Sequence, residues 1–94
     1  MIILQIEHAV PSYEGWKIAF ENDPVDRKGS GVLCYTTYRK TEDPNYIIID
    51  LEFEYLEDAE ALLMKLQKLW QQVEGRIMTQ PKTRLLEKIE TVIY

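Results

Sequence analysis

"VLCYTTYRKTEDPNYIIIDLEF", residues 32–53, contains two runs crowded with β-branched and aromatic side chains, Val32–Lys40 and Tyr46–Phe53. Residues of this kind suit a pleated, half-buried surface, so each run reads as a strand. Between them, Thr41-Glu42-Asp43-Pro44-Asn45 is a cluster of turn formers, and so short a gap makes the two strands a hairpin. The fold then depends on what flanks the hairpin on each side.

On the N-terminal side, Met1–His8 is a short Ile- and Leu-rich run that reads as a strand. Ser12 follows Val10-Pro11 as a helix N-cap, and the segment after it puts Tyr13, Trp16, Lys17 and Phe20 on one helical face. Asn22-Asp23-Pro24 ends that helix, because the residue before a proline avoids the helical region. A polar loop, residues 25–31, leads into the hairpin. On the C-terminal side, Leu56, Ala59, Leu62, Leu63, Leu66, Trp70 and Val73 recur at the spacing of one apolar helical stripe, with Gly75 as its stop. A loop through Pro81 leads to a last strand, RLLEKIETVIY, residues 84–94. The order β-α-β-β-α-β is the split arrangement of ferredoxin-like α+β folds. Right-handed crossovers put both helices on one face of a four-stranded antiparallel sheet. The expected organisation is one domain over residues 1–94.

The net charge of −5 argues against nucleic acid and against an anionic membrane surface as partners, since both require a basic footprint. No run approaches the roughly 20 apolar residues of a membrane span. The opening MIILQIEH has no basic leader and is broken by Gln5 and Glu7, so no export signal is expected. Cys34 is the only cysteine, which excludes an internal disulfide and a cysteine-based zinc site. A lone thiol between apolar residues fits a small buried side chain in a cytoplasmic protein.

With both helices on one side, a monomer needs a polar opposite face. In Tyr46–Phe53, Ile47, Ile49, Leu51 and Phe53 share the parity suited to the helices, while Tyr46 and Ile48 share the other with Asp50 and Glu52. In the preceding strand, Leu33 and Tyr35 oppose Val32 and Cys34, so both faces again carry apolar side chains. A second copy of the chain is the economical cover for that face, giving an isologous homodimer.

The pattern H-x-V-x-x-Y-x-x-W-K-x-x-F, met here as His8, Val10, Tyr13, Trp16, Lys17 and Phe20 and followed by Asp23-Pro24 and Arg27, resembles small dimeric α+β-barrel proteins. These are related to the antibiotic biosynthesis monooxygenase-like superfamily. The later EFEYLEDAEAL, residues 52–62, is similar to that group's passage from strand to second helix. The resemblance implies two sheets packed back to back and a pocket between each sheet and its helices or loops. Where such chains often place Ser before the second helix, Tyr55 stands here, and its side chain cannot cap the first amides.

Several residues carry candidate chemistry. His8 ends the first strand, either as a general base or ligand at a pocket mouth or as a strand-end residue bonded to the next turn. Trp16 and Phe20 are core residues or pocket walls. Tyr35, Tyr38 and Arg39 share a strand, and Tyr35 and Arg39 share a parity, fitting a cavity for a small aromatic or anionic molecule or a dimer contact. Asp50 interrupts an apolar strand and needs a partner such as Arg39 or Arg84, as a structural pair or as a catalytic acid. Arg27 and Lys28, beside Gly29 and Gly31, read as a solvated basic loop; no helix follows to present amides to a phosphate.

One histidine and one cysteine cannot build a His-rich or C-x-x-C metal site, and no cofactor is expected. The second helix has no histidine of the kind that holds iron in haem-degrading members of the group the chain resembles. Two functional classes remain. One is a dimeric module that binds a small molecule or regulates a partner. The other, implied by the resemblance, is a cofactor-independent monooxygenase acting on an aromatic substrate, with His8 as base, Trp16 and Tyr35 as walls and Arg39 stabilising the developing anion. No pair of titratable residues is set up to act together, so the residues themselves do not decide whether the chain is an enzyme.

Overall fold

The computed structural model describes residues 1–73 and 79–94. Its elements follow the expected order: β1 (Ile2–Ala9), α1 (Tyr13–Glu21), β2 (Val32–Lys40), β3 (Asp43–Phe53), α2 (Leu56–Val73) and β4 (Thr79–Glu87). The four strands form one antiparallel sheet in the order β2-β3-β1-β4, the topology of a ferredoxin-like α+β fold. Gly75, the expected stop of the second helix, lies outside the described residues.

Register explains the core. Leu4 pairs with Leu51, Ile6 with Ile49 and His8 with Ile47, so the even positions of β1 and the odd positions of β3 point to the helices. Ile47, Ile49, Leu51 and Phe53 are all buried there, packed with Leu4, Trp16, Ala59 and Leu62. The other parity faces away from the helices. It is laced with polar pairs: Gln5 Nε2 donates to Asp50 Oδ1 at 2.9 Å, Arg84 meets Glu7 at 3.4 Å and Lys88 meets Glu52 at 3.1 Å. Ile3, Tyr38, Tyr46, Ile48 and Leu86 lie among those pairs, so the outer face is mixed rather than continuously apolar.

Four local expectations change. The turn of the hairpin is Thr41-Glu42, and Asp43-Pro44-Asn45 belong to β3; Asn45 accepts from the Val10 N–H at 2.8 Å through its carbonyl. Pro44 is tolerated because the register shifts beside it, between Arg39 and Lys40. A second irregularity between Val32 and Cys34 offsets Leu33, so Val32 and Tyr35 come to the same face of β2 and Cys34 to the other. Cys34 is exposed rather than buried, and a hydrogen bond with the Glu52 carboxylate pushes the thiol pKa up. The last strand also sits earlier than expected. Glu87 pairs with Ile2 and the Lys88 N–H donates to the Met1 carbonyl at 2.8 Å, after which residues 89–94 run beyond the sheet.

Ser12 caps α1 as expected, its Oγ accepting from the Gly15 N–H at 3.3 Å. Leu56 opens α2 but is exposed, while Ala59 and Leu62 are fully buried and Leu63, Leu66 and Trp70 pack against the core. Tyr55, immediately before α2, is 56% exposed, so its ring contributes little packing. Tyr55→Ser should raise stability by about 1 kcal/mol by capping a first-turn amide. Urea denaturation checks this, and an unchanged or lower midpoint would contradict the assignment of residue 55 as the N-cap.

Candidate functional site

A cavity of about 260 Å³ lies between the helix-side face of the sheet and the two helices. Ile6 and His8 of β1 with Ile49 and Leu51 of β3 form its floor; Leu62, Leu66, Leu69 and Trp70 of α2 form one wall. Trp16, Ala19 and Phe20 of α1 form the other, and Asn22, Pro24, Val25 and Arg27 close the end. The 3,4 spacing of α1 brings Trp16 and Phe20 onto this wall, one turn apart. Their rings stack at 4.9 Å between centroids. Trp16 also tilts against the His8 ring at 6.2 Å, and the edge of Tyr35 meets Phe20 at 5.0 Å. A row of aromatic rings therefore runs along the cavity.

His8 is the one buried polar or charged residue among the described residues, at 2% exposure. Its Nδ1 is shielded from solvent and has no hydrogen-bond partner among them. Burial lowers the imidazole pKa below 6.5, against a smaller opposing effect of the Ala9 backbone, so His8 is neutral at pH 7. A neutral imidazole offers a donor and an acceptor, whereas the rest of this cavity is mostly hydrocarbon.

The second polar group comes from the loop after α1. The Asn22 N–H donates to the Ile18 carbonyl, and Asp23 then turns the chain with φ +50°. Asp23 Oδ1 accepts from the Arg27 backbone N–H at 2.9 Å and lies 3.4 Å from Arg27 Nη1. These contacts fold the Arg27 side chain back under α1, where Nη1 donates to the Phe20 carbonyl at 2.8 Å. The guanidinium lies 3.9 Å from the Phe20 ring centroid and 5.2 Å from that of Tyr35. Arg27, expected in a solvated loop, keeps a side chain only 15% exposed and is the cation of the cavity.

The sequence-derived candidates separate in space. His8, Trp16 and Phe20 meet at the cavity. Tyr35 packs on Phe20 but lies with Cys34 and Leu33 in a shallower depression on the other side of Arg27. Arg39 shares the helix-side face but pairs with Ile47, which in turn pairs with His8. Two strand spacings, roughly 10 Å, separate Arg39 from His8, and its guanidinium lies over the Tyr13 ring at 4.6 Å. Tyr38 and Asp50 are on the outer face; Tyr38 pairs with Ile48, and Asp50 takes its hydrogen bond from Gln5 rather than from Arg39 or Arg84. Among the polar residues of the cavity, Asn22 is not singled out by the sequence, and Arg27 reads there as part of a solvated loop. Among the described residues no three His, Cys, Asp or Glu side chains converge as metal ligands.

No protein-family model matches the chain, and no curated protein matches it significantly. Solved structures do. SnoaB, a cofactor-independent oxygenase from Streptomyces nogalater, superposes with a TM-score of 0.75 at 13% identity, over 97% of this chain and 95% of that one. A dimeric ferredoxin-like protein from an uncultured marine organism gives 0.66 at 12% identity, over 97% of both chains. An antibiotic biosynthesis monooxygenase gives 0.63 at 11% identity, over 96% of this chain and 100% of that one. Similarity of this kind establishes architecture, and the chain therefore has the ferredoxin-like α+β fold of these antibiotic biosynthesis monooxygenase-like structures.

Proposed function

We propose that this chain is a small-molecule-binding module that takes a flat, largely apolar ligand, aromatic and bearing one hydrogen-bond donor, in the cavity between sheet and helices, and that it works as a homodimer. The observation that carries the reading is that one buried histidine, His8, its Nδ1 without a hydrogen-bond partner among the described residues, lines an otherwise largely apolar cavity of about 260 Å³. A buried polar atom without a partner costs about 1–3 kcal/mol, and a ligand hydroxyl would recover part of that cost. Stacked Trp16 and Phe20 favour a planar ligand. Asp23 and the Phe20 carbonyl already engage Arg27, which favours a neutral ligand over a strongly anionic one. The homodimer is supported by the apolar side chains among the outer-face pairs, and one protein of this fold is a dimer. An exposed free thiol at Cys34 suits a reducing compartment such as the cytoplasm. The net charge of −5 disfavours nucleic acid, and no helix among the described residues is long and apolar enough to cross a membrane.

Titration with 1-naphthol, followed by the fluorescence of Trp16 and Trp70 on opposite cavity walls, tests the reading. Saturable quenching at one ligand per chain is expected. His8→Leu should weaken 1-naphthol binding about tenfold, the worth of one hydrogen bond, and leave naphthalene, which has no hydroxyl, unaffected. Equal affinity of both proteins for 1-naphthol would refute the role given to His8. A second reading, a cofactor-independent oxygenase, draws on the same neutral imidazole as acceptor of the ligand's proton, and one protein of this fold has that activity. Oxygen uptake with 1-naphthol that His8→Leu abolishes would establish it.

A further inference from the structure

We propose that Arg27 is the specificity-determining residue of the cavity and sets the length of ligand it accepts, its guanidinium closing the passage by which a phenol's apolar tail reaches the depression beside β2. The inference rests on the ligand-binding reading and adds a second element to the ligand, an unbranched apolar tail opposite its hydroxyl. Among the described residues, Arg27 alone lines both hollows. On one side is the cavity that His8 lines. On the other, Val32, Leu33 and Tyr35 face the depression, with Asp23 and Lys28 beside them.

The row of rings sets the direction. The centroids step 6.2 Å from His8 to Trp16 and 4.9 Å from Trp16 to Phe20, and the guanidinium follows 3.9 Å from the Phe20 centroid. A planar ligand whose hydroxyl meets His8 and whose ring lies along Trp16 points its far end at Arg27. The Tyr35 ring, 5.2 Å from the guanidinium, already belongs to the depression. The barrier is charged, but its hold is narrow. Both contacts of the guanidinium with protein oxygens run through Nη1, at 2.8 Å to the Phe20 carbonyl and 3.4 Å to Asp23 Oδ1. A guanidinium gripped through two nitrogens is fixed in orientation, whereas rotation about the outer bonds of this side chain releases both contacts at once. The backbone beneath it is anchored separately. Asp23 makes a left-handed turn at φ +50°, and its Oδ1 accepts from the Arg27 N–H at 2.9 Å, so the side chain swings towards solvent while the loop stays. A short ligand leaves Arg27 in place. A longer one displaces it and covers Leu33 and Tyr35, which are 58% and 44% exposed.

Displacement of 1-naphthol by 4-alkylphenols with unbranched tails from ethyl to heptyl tests the proposal in the parent, Arg27→Ala and Asp23→Asn. In the parent, affinity should rise about fourfold per methylene over the shorter tails, the worth of burying one CH₂, and stop rising where the tail meets Arg27. In Arg27→Ala the rise should continue for at least two further methylenes, so that 4-heptylphenol binds at least about tenfold tighter than in the parent while 1-naphthol changes less than about threefold. Asp23→Asn keeps the left-handed turn, which asparagine tolerates, but removes the charge beside the guanidinium, and should shift the limit in the same direction. Should Arg27→Ala fail to fold, Asp23→Asn decides. An arginine that serves only to cap the last turn of α1 would cost the variants stability and leave the length limit where it is, which overturns the inference. A rise that continues unbroken to heptyl in the parent overturns it too. Absence of 1-naphthol binding in the parent overturns the ligand-binding reading itself, and this inference with it.

Discussion

Phe53→Ala should lower the unfolding free energy by about 3–5 kcal/mol, the cost of removing a buried aromatic ring from a core that collapses only partly. Phe53 is fully buried at the end of β3, paired with Ile2 on one side and Val32 on the other. Natural domains hold only roughly 5–15 kcal/mol in total, so much of the margin goes with one ring. The contrasting change is Ile18→Ala on α1, a residue 65% exposed, which should shift stability by no more than about 0.5 kcal/mol. Urea denaturation of the two variants beside the parent measures both. A loss below about 1 kcal/mol for Phe53→Ala would mean that β3 presents its other parity to the helices, and the register of the sheet would fall with it.

That register was readable from the sequence because β3 is central and covered on one face by helices. Ile47, Ile49, Leu51 and Phe53 alternate with Ile48, Asp50 and Glu52 over seven residues, and a one-residue slip would bury two carboxylates. β2 was less readable for a physical reason. Its parity changes at Leu33, and an irregularity of this kind leaves no mark when both alternating sets contain apolar residues. The final strand lies earlier than its composition suggests, since strand propensity records what a segment favours, whereas pairing depends on which neighbour remains available. Residues 89–94 have the composition of a strand but lie past the last pair with β1. Thr79–Glu87 pairs despite Pro81 because β4 is an edge strand and the register shifts there, between Glu7 and Ala9.

The cavity was half legible. Helical spacing put Trp16 and Phe20 on one face, and strand parity put His8 on the same side of the sheet. Parity, the one positional rule a strand supplies, points to Arg39 as the cation, and Arg39 does face the helices. Parity gives the side of the sheet but not the distance along it or across it, and Ile47 stands between Arg39 and His8. Arg27 reaches the cavity through a left-handed turn at Asp23 and a carboxylate that binds both the backbone and the guanidinium of the residue four positions on. The spacing Asp23-x-x-x-Arg27 was visible, but a turn that folds a loop side chain inward depends on the helix end above it. The separation of Asp50 from His8 has the same origin: odd positions of β3 point one way, Asp50 is even, and Gln5 on β1 is its partner across the outer face.

His8→Leu should stabilise the protein by about 1–2 kcal/mol at pH 8, by replacing a buried, unpartnered polar atom with hydrocarbon of similar size. It should also remove part of the acid sensitivity of the fold. The sign follows from linkage. The folded-state pKa of His8 lies below the unfolded value of 6.5, so the unfolded chain takes up the proton first as pH falls. Stability is therefore greatest above pH 6.5 and declines as pH drops from there to the lowered folded-state pKa. The slope approaches at most about 1.4 kcal/mol per pH unit, the limit for one proton. His8 is the only histidine in the chain, so the parent-minus-variant difference across this window isolates it from the 16 carboxylates, which act mainly at lower pH. Urea midpoints from pH 4.5 to pH 8 measure that difference. Parallel curves for parent and variant would show that His8 keeps its ordinary pKa in the fold, and a variant less stable at pH 8 would show that Nδ1 has a partner after all. The expected result, a more stable protein that binds 1-naphthol less well, is what a side chain retained for its ligand at the expense of the fold would give.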